Sequence, residues 1–157
     1  RARPMGDVKG DDLLRRPVRV RGIQVGHAVD LLLHPTEPRA LGLDVLCRDD
    51  RHRFLPLSAA TLHEDRIEAA SPLVLLDLRE DGFYRREARA LAELRGTPLA
   101  GGQTLQDVVL GSGWAIEELV LDGERVPLNG IVLPPRSERR RARFFRRPRR
   151  NGRRRSR

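Results

Sequence analysis

The stretch RALGLDVLC, residues 39–47, carries apolar side chains at every second position from Leu41 to Cys47. Successive side chains of a β-strand point to opposite faces, so this period of two predicts a strand with one buried face. DLLL at 30–33 precedes it across a loop with two prolines, and FLPL at 54–57 follows it across a polar turn. Short apolar runs separated by turns about every 8–12 residues predict a small all-β barrel or sandwich.

Further short strands are predicted on both sides of this stretch. Valines alternate with arginines in PVRVR at 17–21, which predicts a strand that tolerates a sheet edge because its first residue is proline. Gly22 and Gly26 are expected to bracket a turn before a second strand at 29–33. Residues 66–70 are expected to add one more short strand.

The sequence between residues 73 and 94 has a mixed composition. LVLL at 73–76 is compatible with a strand, whereas YRREARALAEL at 84–94 has the alanine, arginine, glutamate and leucine content of a helix. Gly96 is a suitable stop for that helix. Residues 81–96 are therefore predicted to form a helical connector.

The second half of the sequence repeats the order of the first. The offsets between matched positions are 77, 75 and 71, so the length differences fall in loops, where insertions cost least. This predicts a duplicated unit whose second, degenerate copy spans 97–135. The matched segments are DLLL with DVVL (30–33 and 107–110), RAL with WAI (39–41 and 114–116) and FLPL with RVPL (54–57 and 125–128).

Three segments of the first half together resemble the PRC-barrel domain: GxxVGxxxDLLL at 22–33, RALGLxV at 39–45 and FLPL at 54–57. The resemblance covers residues 15–80 well and 95–135 more loosely. It implies two tandem PRC-type β-barrels, at 15–80 and 97–135.

The PRC-barrel fold also occurs in the bacterial 16S ribosomal RNA maturation factor and in the photosynthetic reaction centre H subunit. The sequence shows no counterpart of the first protein's separate N-terminal domain or of the second protein's membrane anchor, so neither specific function is expected. The resemblance implies a stand-alone bacterial module that docks on protein partners and has no cofactor of its own.

The net charge of +9 is concentrated at the C-terminus. Residues 136–157 hold thirteen arginines against Glu138, a net charge of +12, whereas residues 1–135 carry −3. A segment with so few apolar groups cannot offset its ordering entropy, so 136–157 is predicted to be a disordered tail, as is 1–14. The predicted nucleic-acid-binding residues are Arg139, Arg140, Arg141, Arg143, Arg146, Arg147, Arg149, Arg150, Arg153, Arg154 and Arg155.

Three interpretations of this tail stay open. An arginine-rich arm can lie along phosphates and release counterions, which favours RNA, most of all ribosomal RNA, or DNA. A polybasic segment with Phe144 and Phe145 also suits an anionic membrane face or an acidic protein partner. The third interpretation is a solubilising extension with no specific partner.

The remaining chemical candidates predict no catalytic, metal or cofactor site. His27, His34, His52 and His63 form no local ligand or triad pattern. Cys47 lies on the apolar face of its strand, which favours core packing and an inert thiol. Asp30 and Asp107 occupy matched places and invite a paired-carboxylate hypothesis, but an Asp before an apolar run more often accepts hydrogen bonds from backbone amides.

The cellular setting is predicted from the same composition. One cysteine excludes an intrachain disulfide, and no stretch approaches the ~20 apolar residues of a membrane span. The sequence therefore predicts a non-enzymatic, cytoplasmic protein.

Overall fold

The computed structural model of the protein describes residues 8–78 and 82–136, and its fold is mainly β, as predicted. The strands are β1 (Val8–Lys9), β2 (Pro17–Val20), β3 (Ile23–Leu33), β4 (Ala40–Cys47), β5 (His52–Pro56), β6 (Ala60–Leu62), β7 (Ile67–Ala69), β8 (Leu76–Asp77), β9 (Arg89–Ala90), β10 (Leu105–Leu110), β11 (Ile116–Leu121) and β12 (Glu124–Pro127). The short α-helices are α1 (Gly10–Leu13), α2 (Phe83–Arg86) and α3 (Leu91–Leu94), and 3-10 turns lie at Leu57–Ala59, Pro72–Val74 and Ser112–Trp114.

The larger sheet has the strand order β6-β7-β2-β3-β4-β5-β8. Neighbouring strands in this sheet run antiparallel, except that β2 and β7 run parallel to each other. The long strand β3 pairs with β2 over its first half and with β9 at its last two residues. Strand β4 is present as predicted, and Leu43, Val45 and Cys47 share one buried face. Leu41 departs from the predicted period, because it is only partly buried and packs against a second cluster, and Gly42 and Asp44 are buried as well.

The smaller sheet has the antiparallel order β1-β10-β11-β12. Its last hairpin turns on Asp122 and Gly123, both with positive φ (46° and 86°). A two-residue turn with positive φ at both residues is a type I′ turn, and its twist matches that of the flanking strands. The turn therefore fixes the register of β11 against β12.

The three strands β3, β4 and β5, here called the first meander, share their irregularities with the second meander, β10, β11 and β12. In each meander, the hairpin formed by the first two strands contains two β-bulges, where the register shifts. Each shift in β10 lies 77 residues after the equivalent shift in β3. The shifts fall between Ala28 and Asp30 and between Leu32 and Leu33 in β3, and between Leu105 and Asp107 and between Val109 and Leu110 in β10.

The third strands also correspond. Pro56 lies opposite Gly42 in the first meander, and Pro127 lies opposite Glu118 in the second. The predicted match of Leu41 with Ile116 is wrong by one residue. Ala40, which pairs with Leu33, is the position equivalent to Ile116, which pairs with Leu110, and Leu41 is the residue that the bulge skips.

Two strand-helix arms cross between the meanders. The first arm, Val8–Leu13, precedes the first meander in the chain but pairs with β10 of the second. The second arm, Arg89–Leu94, precedes the second meander but pairs with β3 of the first. Equivalent residues of the two arms are 81 positions apart in the chain. Val8 of the first arm lies opposite Leu110, and its equivalent in the second arm, Arg89, lies opposite Leu33.

The residues that follow the two arms also have the same conformation and hydrogen bonds. Arg15 and Gly96, again 81 residues apart, both have positive φ (69° and 78°). The N–H of Arg15 donates to the carbonyl oxygen of Ala28 at 2.7 Å, and that of Gly96 donates to the carbonyl oxygen of Leu105 at 2.8 Å. Each meander thus receives the chain in the same way after its arm has packed on the other meander.

The main hydrophobic core is shared by both sheets. It joins buried leucines of the larger sheet, such as Leu31 and Leu43, to Leu105 and Leu119 of the smaller sheet. A second, smaller cluster holds Phe54, whose ring stacks on Tyr84 with centroids 3.9 Å apart. A common core means that neither meander buries its apolar face alone.

The predicted helical connector at 81–96 is wrong in its continuity. Two one-turn helices, α2 and α3, are separated by β9, which adds to the end of β3. Helix propensity at 84–94 is outweighed by this pairing and by the burial of Arg89, Ala90 and Leu91.

Three local predictions about the first half are also corrected. Residues Val8–Leu13 of the predicted disordered N-terminus form β1 and α1, because Leu13 is fully buried in the shared core. Gly26 lies inside β3, where a Cβ would meet the Leu46 carbonyl oxygen at 2.4 Å, so close backbone packing explains this glycine. Pro17 begins a strand that has neighbours on both sides, β3 and β7, so β2 is not an edge.

Candidate functional site

The predicted nucleic-acid-binding arginines, from Arg139 to Arg155, lie outside the described residues. The described part of the chain ends at Arg136, which belongs to the predicted tail in sequence but is only 8% exposed. Any truncation that removes the basic tail should therefore keep Arg136.

The matched carboxylates Asp30 and Asp107 both hold the start of a crossing arm's helix. Asp30 Oδ1 accepts from the N–H of Ala92 at 3.1 Å and from its own neighbour Leu31 at 2.9 Å. Asp107 accepts from the N–H of Asp11 at 3.1 Å through Oδ2 and from Val108 at 2.8 Å through Oδ1. The two residues are thus matched backbone acceptors, as the structural interpretation of the sequence predicts.

A charged cleft of about 370 Å³ surrounds Asp107, lined also by Lys9, Asp11, Asp12 and Arg95. Arg95 Nη2 lies 3.2 Å from Asp11 Oδ1 and 3.9 Å from Asp107 Oδ1. Burial raises the pKa of Asp107 despite its amide hydrogen bonds and the nearby guanidinium. Arg95 thus lies between Asp11 of the first arm and Asp107 of the second meander and ties the two together.

Three of the four histidines make separate local contacts, and His27 is exposed on β3. His34 Nδ1 accepts from the backbone N–H groups of Thr36 and Glu37, at 3.1 and 2.9 Å, which closes the loop between β3 and β4. His52 Nδ1 lies 2.7 Å from Asp44 Oδ1 on neighbouring strands. His63 Nε2 lies 3.4 Å from Glu68 Oε2. Within residues 8–78 and 82–136 no group of three or more His, Cys, Asp or Glu is placed to hold a metal ion.

Cys47 is buried at 6% exposure in the shared core, as the apolar face of its strand predicts. Its Sγ lies 3.9 Å from the carbonyl oxygen of Val45, on its own strand.

Arg89 is a buried residue that no sequence pattern indicates. It is 3% exposed, and its guanidinium donates to the carbonyl oxygens of His34 (2.7 Å), Glu37 (2.9 Å) and Leu133 (3.3 Å). Desolvation lowers its pKa. Arg89 therefore joins the β3–β4 loop and the C-terminal segment to the second arm, a role that its helix-like sequence surroundings conceal.

A second feature absent from the sequence analysis is an apolar cleft of about 480 Å³ beside the start of β3. Its apolar lining comes from Ile23 and Val25 on that strand and from Pro72 and Leu75 on the following turn. Its polar rim consists of Arg48, Asp49 and Arg53. The signal missed in the sequence is Ile23, an apolar residue directly after a turn glycine.

Comparison with known proteins gives no assignment: no family model matches the chain, and no curated protein matches it. Among the described residues, no helix has the length and apolar content needed to cross a membrane.

Proposed function

We propose that this protein is a non-enzymatic adaptor that docks on protein partners through two PRC-type barrels and binds nucleic acid, RNA before DNA, through its arginine-rich tail. The observation that carries the proposal is the division of charge: +12 in residues 136–157 against −3 in residues 1–135. The second function weighed from sequence, recruitment to an anionic membrane face or an acidic partner, becomes an outcome of the test below.

The two-barrel part of the proposal is supported by the shared geometry of the meanders. Equivalent bulges, equivalent proline positions and equivalent arm hydrogen bonds recur at nearly constant offsets. Independent sequences have no reason to place β-bulges at the same points, since each bulge is a specific local feature of its strand pair. Duplication of one unit accounts for all of these matches together.

The nucleic-acid part is supported by the density of guanidinium groups in the tail. Arginines that neutralise phosphates release condensed counterions, which makes affinity strongly dependent on salt. With about six arginines engaged, log K is expected to fall with log salt at a slope of roughly −4 to −5. A folded body with a slight negative charge is expected to contribute little to this term.

The test compares the full chain with a full-length variant in which the eleven arginines from Arg139 to Arg155 are replaced by glutamine. A third protein ends at Arg136, and a lysine version of the same eleven positions keeps the charge. Binding is measured by gel shift and anisotropy against an RNA hairpin, a DNA duplex of equal length and phosphatidylserine vesicles, at several salt concentrations.

We expect the glutamine variant and the truncated chain to lose RNA binding while far-UV circular dichroism stays that of a folded β protein. The lysine variant should keep most of the salt-dependent affinity. Equal RNA binding by the truncated chain at the same salt would contradict the proposal. Tighter binding to the anionic vesicles than to RNA would show that the partner of the tail is a membrane surface and not nucleic acid.

A further inference from the structure

The described part of the chain leaves five large apolar side chains exposed, and one of them, Ile23, lines the apolar cleft at 69% exposure. Leu73 and Leu76, which are 88% and 42% exposed, are chain neighbours of the lining residues Pro72 and Leu75. Single exposed apolar residues are ordinary on a protein surface, whereas Ile23 adjoins an apolar concave lining, which is the usual setting of a ligand site.

The cleft is built by two fixed pieces of backbone. Strand β3 starts at Ile23, which lies beyond the last residue that β4 pairs with, and the N–H of Arg48 donates to the Val25 carbonyl oxygen at 3.1 Å. The opposite wall is the 3-10 turn Pro72–Val74, whose start is closed by Ser71 Oγ accepting from the N–H of Leu73 at 3.1 Å. The concave shape is therefore set by hydrogen-bonded backbone.

The rim of the cleft carries more positive than negative charge. Arg53 makes two parallel hydrogen bonds to the Asp49 carboxylate, at 2.9 and 2.7 Å, and this contact lowers the pKa of Asp49 to about 2. Arg48 is exposed and makes no ion pair within residues 8–78 and 82–136. Two guanidinium groups thus face one carboxylate that is already engaged.

We propose that this cleft binds a short linear segment of a protein partner that presents leucine-like side chains next to carboxylates. The apolar floor takes the side chains, and Arg48 pairs with a carboxylate, since charge complementarity sets orientation and specificity. The cleft volume of about 480 Å³ falls in the range of about 300–1,000 Å³ that holds small ligands, which suits a few side chains of a short segment. This inference rests on the proposed adaptor function, because it assigns the surface on which the partner docks.

The test uses a defined probe, a fluorescein-labelled nine-residue peptide of leucine and glutamate. Two matched peptides replace every glutamate with lysine or every leucine with serine. The protein is the full-length chain carrying the tail glutamine substitutions, so that the acidic peptide cannot bind the tail arginines. Cleft variants on this background are Ile23→Asp and Arg48→Glu, and Val132→Asp is the control because Val132 is 85% exposed and does not line the cleft.

We expect the leucine-glutamate peptide to bind at least ~10-fold more tightly than either matched peptide. Ile23→Asp and Arg48→Glu should each weaken it by about tenfold, and Val132→Asp should leave it unchanged. Arg48→Glu should also improve binding of the leucine-lysine peptide, a gain that misfolding cannot produce.

Equal affinity of the cleft variants and their parent would overturn the inference. So would a concentration-dependent sedimentation mass that Ile23→Asp abolishes, because a second copy of the chain would then occupy the cleft. Failure of the peptide to bind the cleft is distinguishable from failure of the tail to bind RNA. The peptide titration uses a chain whose tail arginines are replaced by glutamine, and the RNA titration uses chains with an unchanged cleft.

Discussion

The two meanders share a frame but differ in what has been added to it. Each has three antiparallel strands with the same two bulges, and each receives one arm from the other side. The first meander is extended by β2, β6, β7 and β8, whereas no described strand covers the outer edge of β12. The apolar cleft is lined mainly by the first meander, from β3, the β4–β5 turn and β5, and the added segment at Pro72 and Leu75 completes it. The candidate docking surface therefore combines the repeated frame with an addition that has no described counterpart on the second meander.

The crossing arms make the two meanders depend on each other. Leu13 of the first arm and Leu94 of the second occupy equivalent positions and are 0% and 4% exposed in the shared core. An arm that packs on the other meander means that loss of either arm weakens both. The predicted division of the chain into consecutive barrels therefore describes its sequence order better than its packing.

The largest expected effect comes from truncating the matched leucines. Leu13→Ala and Leu94→Ala should each lower the free energy of unfolding by about 2–5 kcal/mol, because each deletes buried methyl groups and leaves a cavity. Urea unfolding should be followed by circular dichroism for the whole body and by fluorescence of Trp114, the only tryptophan, for the second meander.

We expect the two probes to give coincident transitions in the parent and in both variants, as one cooperative unit requires. The exposed Leu73→Ala is the control and should move neither transition by more than about 0.5 kcal/mol. If Leu13→Ala left the Trp114 transition unchanged, the first arm would not support the second meander.

A smaller effect is expected where the two arms meet. A Cβ on Gly10 would lie 2.6 Å from Leu91 Cδ2 and 2.7 Å from Asp107 Oδ1, so this glycine in the first arm makes room for the leucine that occupies the equivalent place in the second. Gly10→Ala should cost about 1–3 kcal/mol through overpacking.

A double-mutant cycle separates this close contact from an intrinsic glycine effect. Leu91→Ala removes Leu91 Cδ2, the nearer of the two atoms that the new methyl group would meet, and leaves Asp107 Oδ1 in place. The loss of stability in the double variant should therefore be smaller than the sum of the two single losses by about 0.5–3 kcal/mol. Additive free energies of unfolding would show that the arms do not compete for the same space.

The sequence predicted the parts of this fold that depend on local patterns. Alternation in 39–47 predicted β4, and the proline match of Pro56 with Pro127 corresponds to equivalent register positions. The crossing arms were missed because strand pairing between distant segments leaves no periodic signal in a two-residue strand. Arg89 was missed for a related reason: its three backbone acceptors belong to segments 44–55 residues away.

Of the two candidate binding surfaces, the basic tail could be predicted from the sequence and the apolar cleft could not. The tail was visible in the sequence because charge density needs no fold to be read. The apolar cleft was not visible, because Ile23 and Leu75 are brought together only by the turn at Pro72–Val74. Composition thus indicates the segment on which the proposed charged partner would bind, and only tertiary structure indicates the proposed apolar docking surface.

The smallest expected effect is a change in pH dependence at Asp107, one of the two matched aspartates. Burial raises the pKa of Asp107 above its ordinary value of 3.8, so the folded state binds this proton more tightly than the unfolded state. The free energy of unfolding should therefore fall as pH rises from 3.8 through the folded pKa, at less than about 1.4 kcal/mol per pH unit. Asp107→Asn removes this slope, which urea titrations at half-unit pH steps would measure.

Asp30→Asn is the matched control for the change in hydrogen bonding, measured at neutral pH. Asp30 accepts both of its amide hydrogen bonds through Oδ1, which asparagine retains, whereas Asp107 uses both carboxylate oxygens. At neutral pH, Asp107→Asn thus loses one amide acceptor and gains relief from a desolvated charge, two effects that oppose each other. A stability-pH slope identical in the parent and Asp107→Asn would show that this carboxylate ionises in the folded protein as it does in the unfolded chain, and that its burial carries no electrostatic cost.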